Sequence, residues 1–444
     1  MRKLIETLIN IYKIQELRER ILFTLLMLMI YRFGTFVILP GINSSVLSSL
    51  FSQGQGGGIL GMLDIFVGGA FSRGSILALG IMPYISASII MQLLGAAVPS
   101  IQKLQKEGES GYRIINQYTR YLTVLITMGQ SIGYLVNLQN QYPEAMLLRG
   151  FYFWAPAMIL LTAGTMFLVW LGERITDKGI GNGVSLIITI GIIAELPPAL
   201  INEASTNPPM IFYFEVLALI LVTIGVVMVT TAVRKIPVNY ARHMMTSRKM
   251  GVIQQRARQY IPLRLNSAGV MPIIFAQSIM FIPATIAQFF PDSNFWTATG
   301  TWFSNHLTLP YNLLFSLLII LFTYFYTAII INPNDIAEQL KRSGGFIPGI
   351  KPGKKTAEYI DAVLTRITLP GSIFLALIAV MPAIITKLGV SSSFAQFFGG
   401  TSLLILIGVV LETLQQIQTY LLQRHYEGII RTGRIQIRTI GATA

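Results

Sequence analysis

Ten stretches of the chain run apolar for about the length a helix needs to cross a bilayer core of roughly 30 Å. They lie near 21–40, 75–97, 117–138, 151–171, 183–201, 211–233, 268–290, 311–332, 368–388 and 401–422. An eleventh apolar stretch, 59–71, is too short to span. Glycine surrounds it, at Gly54, Gly56, Gly57, Gly58, Gly68 and Gly69. A half-helix of that kind is tolerated at membrane depth only if protein buries it or it lines a cavity, so it reads as a re-entrant or plugging segment.

Composition supports the membrane reading. Of 444 residues, 53% are hydrophobic and 12% charged, with a mean hydropathy of +0.62. A soluble domain carries about 25% charge, so half that amount could not clothe a water-facing surface of this size. Cysteine is absent, which excludes disulfides, thiolate metal sites and cysteine nucleophiles. The first twenty residues interleave five basic and three acidic residues with Leu4, Leu8, Ile11 and Leu17. They lack the apolar core and small-residue cleavage site of a signal peptide. Two readings fit them: an amphipathic helix on the cytoplasmic membrane surface, or a solvated arm.

Charge fixes orientation. With the N-terminus inside, 29 of the 33 Lys and Arg fall on cytoplasmic segments. Three fall outside (Arg73, Arg149, Lys387) and Arg32 falls within the first span. That asymmetry is the positive-inside pattern, and it places both ends in the cytoplasm. Segment 234–264 holds eight basic residues and no acidic one, whereas 332–366 mixes six basic residues with Asp335, Glu338, Glu358 and Asp361.

Catalytic chemistry is hard to find. His243, His306 and His425 show no metal-ligand spacing, so no metal or other cofactor is expected. After Gly344, Gly349 is followed by Ile350 where a phosphate loop needs Lys. Gly179-Ile180-Gly181-Asn182-Gly183 lacks dinucleotide-fingerprint spacing. No enzyme is expected. Arg32 and Glu412 are the main intramembrane charges, readable as snorkelling groups or as a packed inter-helix pair.

Local strings then become specific. Gly69-Ala70-Phe71-Ser72-Arg73 precedes Leu79-Gly80-Ile81-Met82-Pro83-Tyr84-Ile85-Ser86-Ala87-Ser88-Ile89-Ile90. Lys106-Glu107-Gly108-Glu109-Ser110-Gly111 and Gln117-Tyr118-Thr119-Arg120-Tyr121 follow, then Gly179-Ile180-Gly181-Asn182-Gly183 and Pro237-Val238-Asn239-Tyr240. Gly345-Phe346-Ile347-Pro348-Gly349 and Gly399-Gly400-Thr401-Ser402 complete the order. This ordered set closely resembles the SecY family, the channel subunits of the bacterial protein-export translocon, over essentially the whole chain.

The resemblance implies an all-α polytopic membrane protein with ten transmembrane helices. These form two inverted five-helix halves around a central pore, with a short re-entrant plug helix. The corresponding segments are 1–20 (amphipathic N-terminal helix), 21–201 (first half, plug 57–72), 202–422 (second half, basic loops 234–266 and 333–367) and 423–444 (cytoplasmic tail). The plug would comprise Gly57, Gly58, Ile59, Leu60, Met62, Phe66, Gly68 and Gly69. The pore ring would be Ile81, Ile85, Val184, Ile188, Ile274 and Ile405. Val184 stands where the family more commonly has isoleucine. Such an apolar ring seals against ions by dewetting and closes around an extended polypeptide without sequence preference. Gln92, Gln130, Asn182 and Ser278 fall at or near helices that would form a lateral gate, to which Asn182 and Ser278 in particular would contribute, and local hydrogen bonding is the alternative role for these polar groups.

The resemblance further implies docking of the motor ATPase SecA or the ribosome through Lys235, Arg242, Arg248, Lys249, Arg256, Arg258, Arg342, Lys351, Lys354 and Lys355. Lys351 stands where the family usually has arginine; it keeps the charge and loses the planar fork. Enforcing topology is the simpler role for these cations, and both can hold together. SecE and SecG are the implied partner subunits, unfolded preproteins and their signal sequences the cargo, and the bacterial plasma membrane the location. The competing class is a secondary transporter for a small solute, which predicts ionisable pairs at mid-membrane. A membrane-embedded enzyme would need a converging His, Asp or Ser constellation, and none is evident.

Overall fold

The structure, a computed structural model, describes residues 14–50, 59–148, 150–240, 259–289, 295–296, 300, 302–303 and 307–440. Residues 1–13 and, from the expected site sets, Gly57, Gly58, Arg242, Arg248, Lys249, Arg256 and Arg258 lie outside them.

All ten predicted spans coincide with helices. In chain order the helices are α1 (Gln15–Gly34), α2 (Ser44–Leu50), α3 (Ile59–Val67), α4 (Met82–Ala97), α5 (Pro99–Lys106), α6 (Glu109–Gln141), α7 (Phe151–Lys178) and α8 (Gly183–Thr206). They continue with α9 (Pro209–Thr231), α10 (Met271–Phe289), α11 (Leu309–Ile330), α12 (Pro333–Arg342), α13 (Lys354–Lys387), α14 (Ser392–Ala395) and α15 (Gly400–Ile440). Among the described residues seven helices are long and apolar enough to cross a membrane unaided. The pair α4 and α5, bent by 102°, brings the number to eight if it is taken as one broken span. The bend falls at Val98-Pro99, where proline forces the preceding residue out of the helical region. α1 falls short on charge, since Glu16, Arg18, Glu19, Arg20 and Arg32 all lie on it.

The second span begins later than hydropathy predicts. Gly80 has φ +57 and Ile81 caps the helix, so α4 starts at Met82 with Pro83 in its first turn.

The chain divides into two compact units. The first comprises Met1–Ser205, Pro283–Ser304 and Ile405–Ala444. In it α1 packs on α7, and α4, α6 and α7 pack on one another. α1 buries Leu17, Thr24, Leu28 and Tyr31, one helical stripe, and leaves Leu25, Met29 and Phe33 exposed. An apolar surface of that kind suits lipid. The main core gathers Leu39, Ile42, Phe71, Tyr134, Leu138 and Phe153. Arg120 reaches from α6 to Glu173 on α7 with two hydrogen bonds of 3.0 and 2.6 Å.

The second unit comprises Thr206–Ile282 and Asn305–Leu404. α11 packs along α13, and Phe275 meets the Tyr326 ring edge-on at 4.8 Å. The first basic loop amends the helix-only expectation. Its ends form β1 (Val233–Tyr240) and β2 (Gln259–Arg264), paired antiparallel from Val233↔Arg264 to Val238↔Gln259. A two-residue strand β3 (Gly345–Phe346) pairs with β1 at Asn239 and Tyr240. Because β3 is so short, Pro237 faces no partner strand on that side and its missing N–H leaves no ladder bond unmade. β1 alternates outward Lys235, Pro237 and Asn239 with buried Ile236 and Val238. These two pack with Leu263, Leu340, Ile347, Ile360 and Leu364 into a second core beneath the sheet, α12 and the start of α13.

Candidate functional site

The short apolar stretch folds as predicted into a half-helix, α3, whose backbone carries Ile59, Leu60 and Met62. Its last turns bury Ile65, Phe66 and Val67. Gly68 and Gly69 follow with φ of +67 and +77, left-handed values that side chains resist. They stop the helix at its seat. The seat is built by α1 and α8. Tyr31 on α1 donates its hydroxyl hydrogen to the Val67 carbonyl (3.1 Å), and Arg32 donates from Nη1 to the Gly68 carbonyl (2.7 Å). From α8, Gly191 meets the segment backbone to backbone. A Cβ there would sit 2.6 Å from the Phe66 carbonyl oxygen, and one on Gly68 would sit 2.9 Å from Gly191 Cα. Nothing larger than hydrogen fits either position.

A charged cluster closes the seat. Arg73 lies 3.8 Å from Glu195 of α8 and 4.5 Å from the centre of the Phe36 ring, which Arg32 also approaches at 5.5 Å. Asp64, inside α3, accepts the Ser72 backbone N–H at 2.9 Å. Beyond the cluster the chain is pinned, since Ser75 bridges to Ile38 and Leu39 donates to the Gly74 carbonyl.

Sequence reading identified α3 and Arg32 but not this seat. In the sequence Arg73 stands out as an outer positive charge and as the end of the Gly69-to-Arg73 string, and nothing there joins it to Tyr31, Asp64, Gly191 or Glu195. Glu195 carried a signal, an acid within an otherwise apolar span. The contacts joining residues over a hundred positions apart had none. Glu412, the other intramembrane charge expected to snorkel or to pair between helices, lies elsewhere in the first unit. It lines a polar cavity of about 550 Å³ with Arg20, Gln415, Gln416 and Tyr420.

Of the expected ring, Ile81 caps α4 and Ile85 lies one turn on, donating its N–H to the Ile81 carbonyl at 3.1 Å. Both are buried, as are Ile188 on α8 and Ile405 on α15, while Val184 is half-buried. Ile274, half-buried on α10, belongs to the second unit. Of the expected gate groups, Asn182 caps α8, its Oδ1 accepting the Ser185 N–H at 3.3 Å. Gln92 is exposed and bonds Ser88 on its own helix (3.3 Å), and Gln130 is half-buried on α6. Ser278 is buried, and its Oγ has no hydrogen-bond partner among the described residues. The described docking residues Lys235, Arg342, Lys351, Lys354 and Lys355 are all exposed, on β1, the end of α12 and the turn into α13.

An apolar helical bundle that seats a half-helix within itself is the arrangement of a membrane protein with a built-in stopper, and the second unit carries exposed cations around a small sheet and helix core. The family comparisons agree. The SecY family model matches residues 75–414. Protein translocase subunit SecY of Escherichia coli K12 is 42% identical over 431 residues, 95% of each chain. The Vibrio cholerae subunit is 41% identical over 434 residues, 95% of this chain and 96% of that one. A solved protein-conducting channel superposes with a TM-score of 0.61 at 15% identity, over 90% of this chain and 92% of that one. A SecY structure whose plug domain stabilises the closed channel and maintains a membrane seal gives 0.61 at 16%, with the same coverage. At such identities the solved structures speak for the fold, and the curated relatives speak for descent. The chain belongs to the SecY family.

Proposed function

We propose that this chain conducts unfolded polypeptides across the bacterial plasma membrane and releases their apolar segments sideways into lipid. The reading rests on one observation above all: a half-helix too short to span, seated between α1 and α8, in a chain of this family. An apolar segment leaves sideways because lipid burial is favourable by roughly 25 cal/mol per Å². In this reading the chain forms two inverted halves, 21–201 and 202–422. Ile81, Ile85, Val184, Ile188, Ile274 and Ile405 form the constriction around the passing chain. Asn182, Gln92, Gln130 and Ser278 face the lateral exit, and both termini lie in the cytoplasm.

The exposed cations of the second unit form a docking surface for a polyanionic partner. A solved relative of similar fold is Sec61 in a canine ribosome–channel complex, TM-score 0.59 at 15% identity over 90% of this chain and 92% of that one. By analogy the ribosome and SecA dock here, with SecE and SecG as accompanying subunits. The drive comes from such a partner, because the sequence offers no nucleotide-binding motif. The buried cluster at Glu195 is the kind of feature a solute transporter would show, but it grips the stopper, and the 42% identical relatives are translocase subunits.

Reconstitution tests the reading. Liposomes holding the chain with SecE, given SecA, ATP and a preprotein, should yield protease-protected preprotein. Its absence, while a known translocon succeeds in parallel, refutes the channel.

A further inference from the structure

We propose that Glu195, with Arg73 and Arg32, is an electrostatic latch that sets how readily the plug leaves its seat. Packing alone would not require these groups. Arg32 and Glu195 lie on apolar helices, where an uncompensated charge is costly. Their compensation depends on the plug. Arg32 donates to the Gly68 carbonyl, in the turn that ends α3. Glu195 lies against Gly69, where a Cβ would sit 2.5 Å from its Oε1, and faces Arg73 at 3.8 Å. Asp64 and Arg32 also lie within its electrostatic reach. The seated plug thus brings two cations and two carboxylates together, and an unseated plug strips Arg32 of its acceptor.

The latch is incomplete by construction. At 3.8 Å the Arg73–Glu195 pair is an ion pair without a hydrogen bond. Arg73 Nη1 and Glu195 Oε1 are both buried without hydrogen-bond partners among the described residues. The Arg120–Glu173 pair of the same unit is bidentate at 3.0 and 2.6 Å. A fork–fork bond would hold hard, whereas a longer pair attracts and still lets go. Asp64 ties α3 to the turn after it, accepting the Ser72 and Gly69 N–H groups, so the pivot lies at Gly74, φ +63, beside the segment pinned at Ser75. Release therefore carries α3, the Gly68-Gly69 turn and Arg73 together away from Arg32 and Glu195.

The proposal rests on the channel reading, and two readouts separate them. The first is resting ion conductance in planar bilayers of the complex purified with its co-purifying subunits. The second is labelling of Ile65→Cys by a membrane-impermeant maleimide, in a chain otherwise free of cysteine. Glu195→Gln keeps the shape and removes the charge. A two-state plug shifts by the interaction lost, so we expect both conductance and labelling to rise roughly three- to tenfold. Arg73→Gln should do the same, and the double variant should exceed neither single. Glu195→Asp should leak less than Glu195→Gln. Parental conductance and labelling in Glu195→Gln, or single effects that multiply in the double, would overturn the latch. Should Glu195→Gln fail to assemble, Arg73→Gln decides by the same two readouts. Preprotein protection by the parent complex tests the channel itself, so a latch failure there leaves the channel intact.

Discussion

Arginine and lysine serve two opposite purposes in the two units. In the plug seat, Arg32 and Arg73 are partly buried, directed at named atoms, and wedged among glycines with no room for a methyl group. In the second unit, Lys235, Lys351, Lys354 and Lys355 are exposed around a small apolar core and have no dictated geometry. The first arrangement encodes a position. The second encodes only a field, carried on a small sheet and helix core. Substitutions should therefore act through shape in one unit and through charge in the other.

The largest effect is expected at Gly191. A side chain there strikes the Phe66 carbonyl oxygen, and backbone on both sides leaves nothing to yield. Gly191→Val should unseat the plug outright, raising resting conductance more than the roughly three- to tenfold expected of Glu195→Gln. Ile65→Cys labelling should rise in parallel. If Gly191→Val seals as well as the parent, the shape-coded half of the comparison is wrong.

In the second unit, replacing Lys351, Lys354 and Lys355 with Glu should weaken docking of a polyanionic partner by roughly tenfold at low salt and much less at high salt. Folding stability should change by less than about 0.5 kcal/mol, as is usual for exposed sites. The sharper complement is Val238→Ala, beneath the sheet. It should cost roughly 1–2 kcal/mol of stability in that unit and weaken docking with little change in its salt dependence. Binding measured across a salt series, beside thermal melts, distinguishes the two.

This contrast also explains what could be read in advance. Spans and the odd half-helix were legible because lipid imposes length and composition on each segment locally. The basic loops were legible as charge. Their sheet was not, since β1 and β2 are brief, contain Pro237 and Pro262, and depend on a core borrowed from α12 and α13. The seat was illegible for the opposite reason. Gly191 looks like an ordinary residue of a span, and Glu195 like an acid without a purpose, until Phe66, Gly69 and Arg73, over a hundred positions earlier, arrive beside them. Asn182 shows the same limit: its motif was conspicuous, and its local partner, Ser185, was not.

The smallest effect tests that last residue. Asn182 ends the Gly179-to-Gly181 turn, and its Oδ1 accepts the Ser185 N–H at the start of α8, the helix that carries Gly191 and Glu195. Loss of such a cap costs about 1 kcal/mol, and aspartate caps as well as asparagine. Asn182→Ala should therefore lower thermal stability by about that amount, and Asn182→Asp should restore it. A lateral-gate role makes a different demand, because it depends on a neutral amide meeting the opposite helix. Asn182→Asp would then disturb release of apolar segments into lipid even though the cap is intact. Measuring stability and membrane insertion side by side separates the roles. We expect Asn182→Asp to match the parent in stability; if it melts like Asn182→Ala, the residue is not acting as a cap.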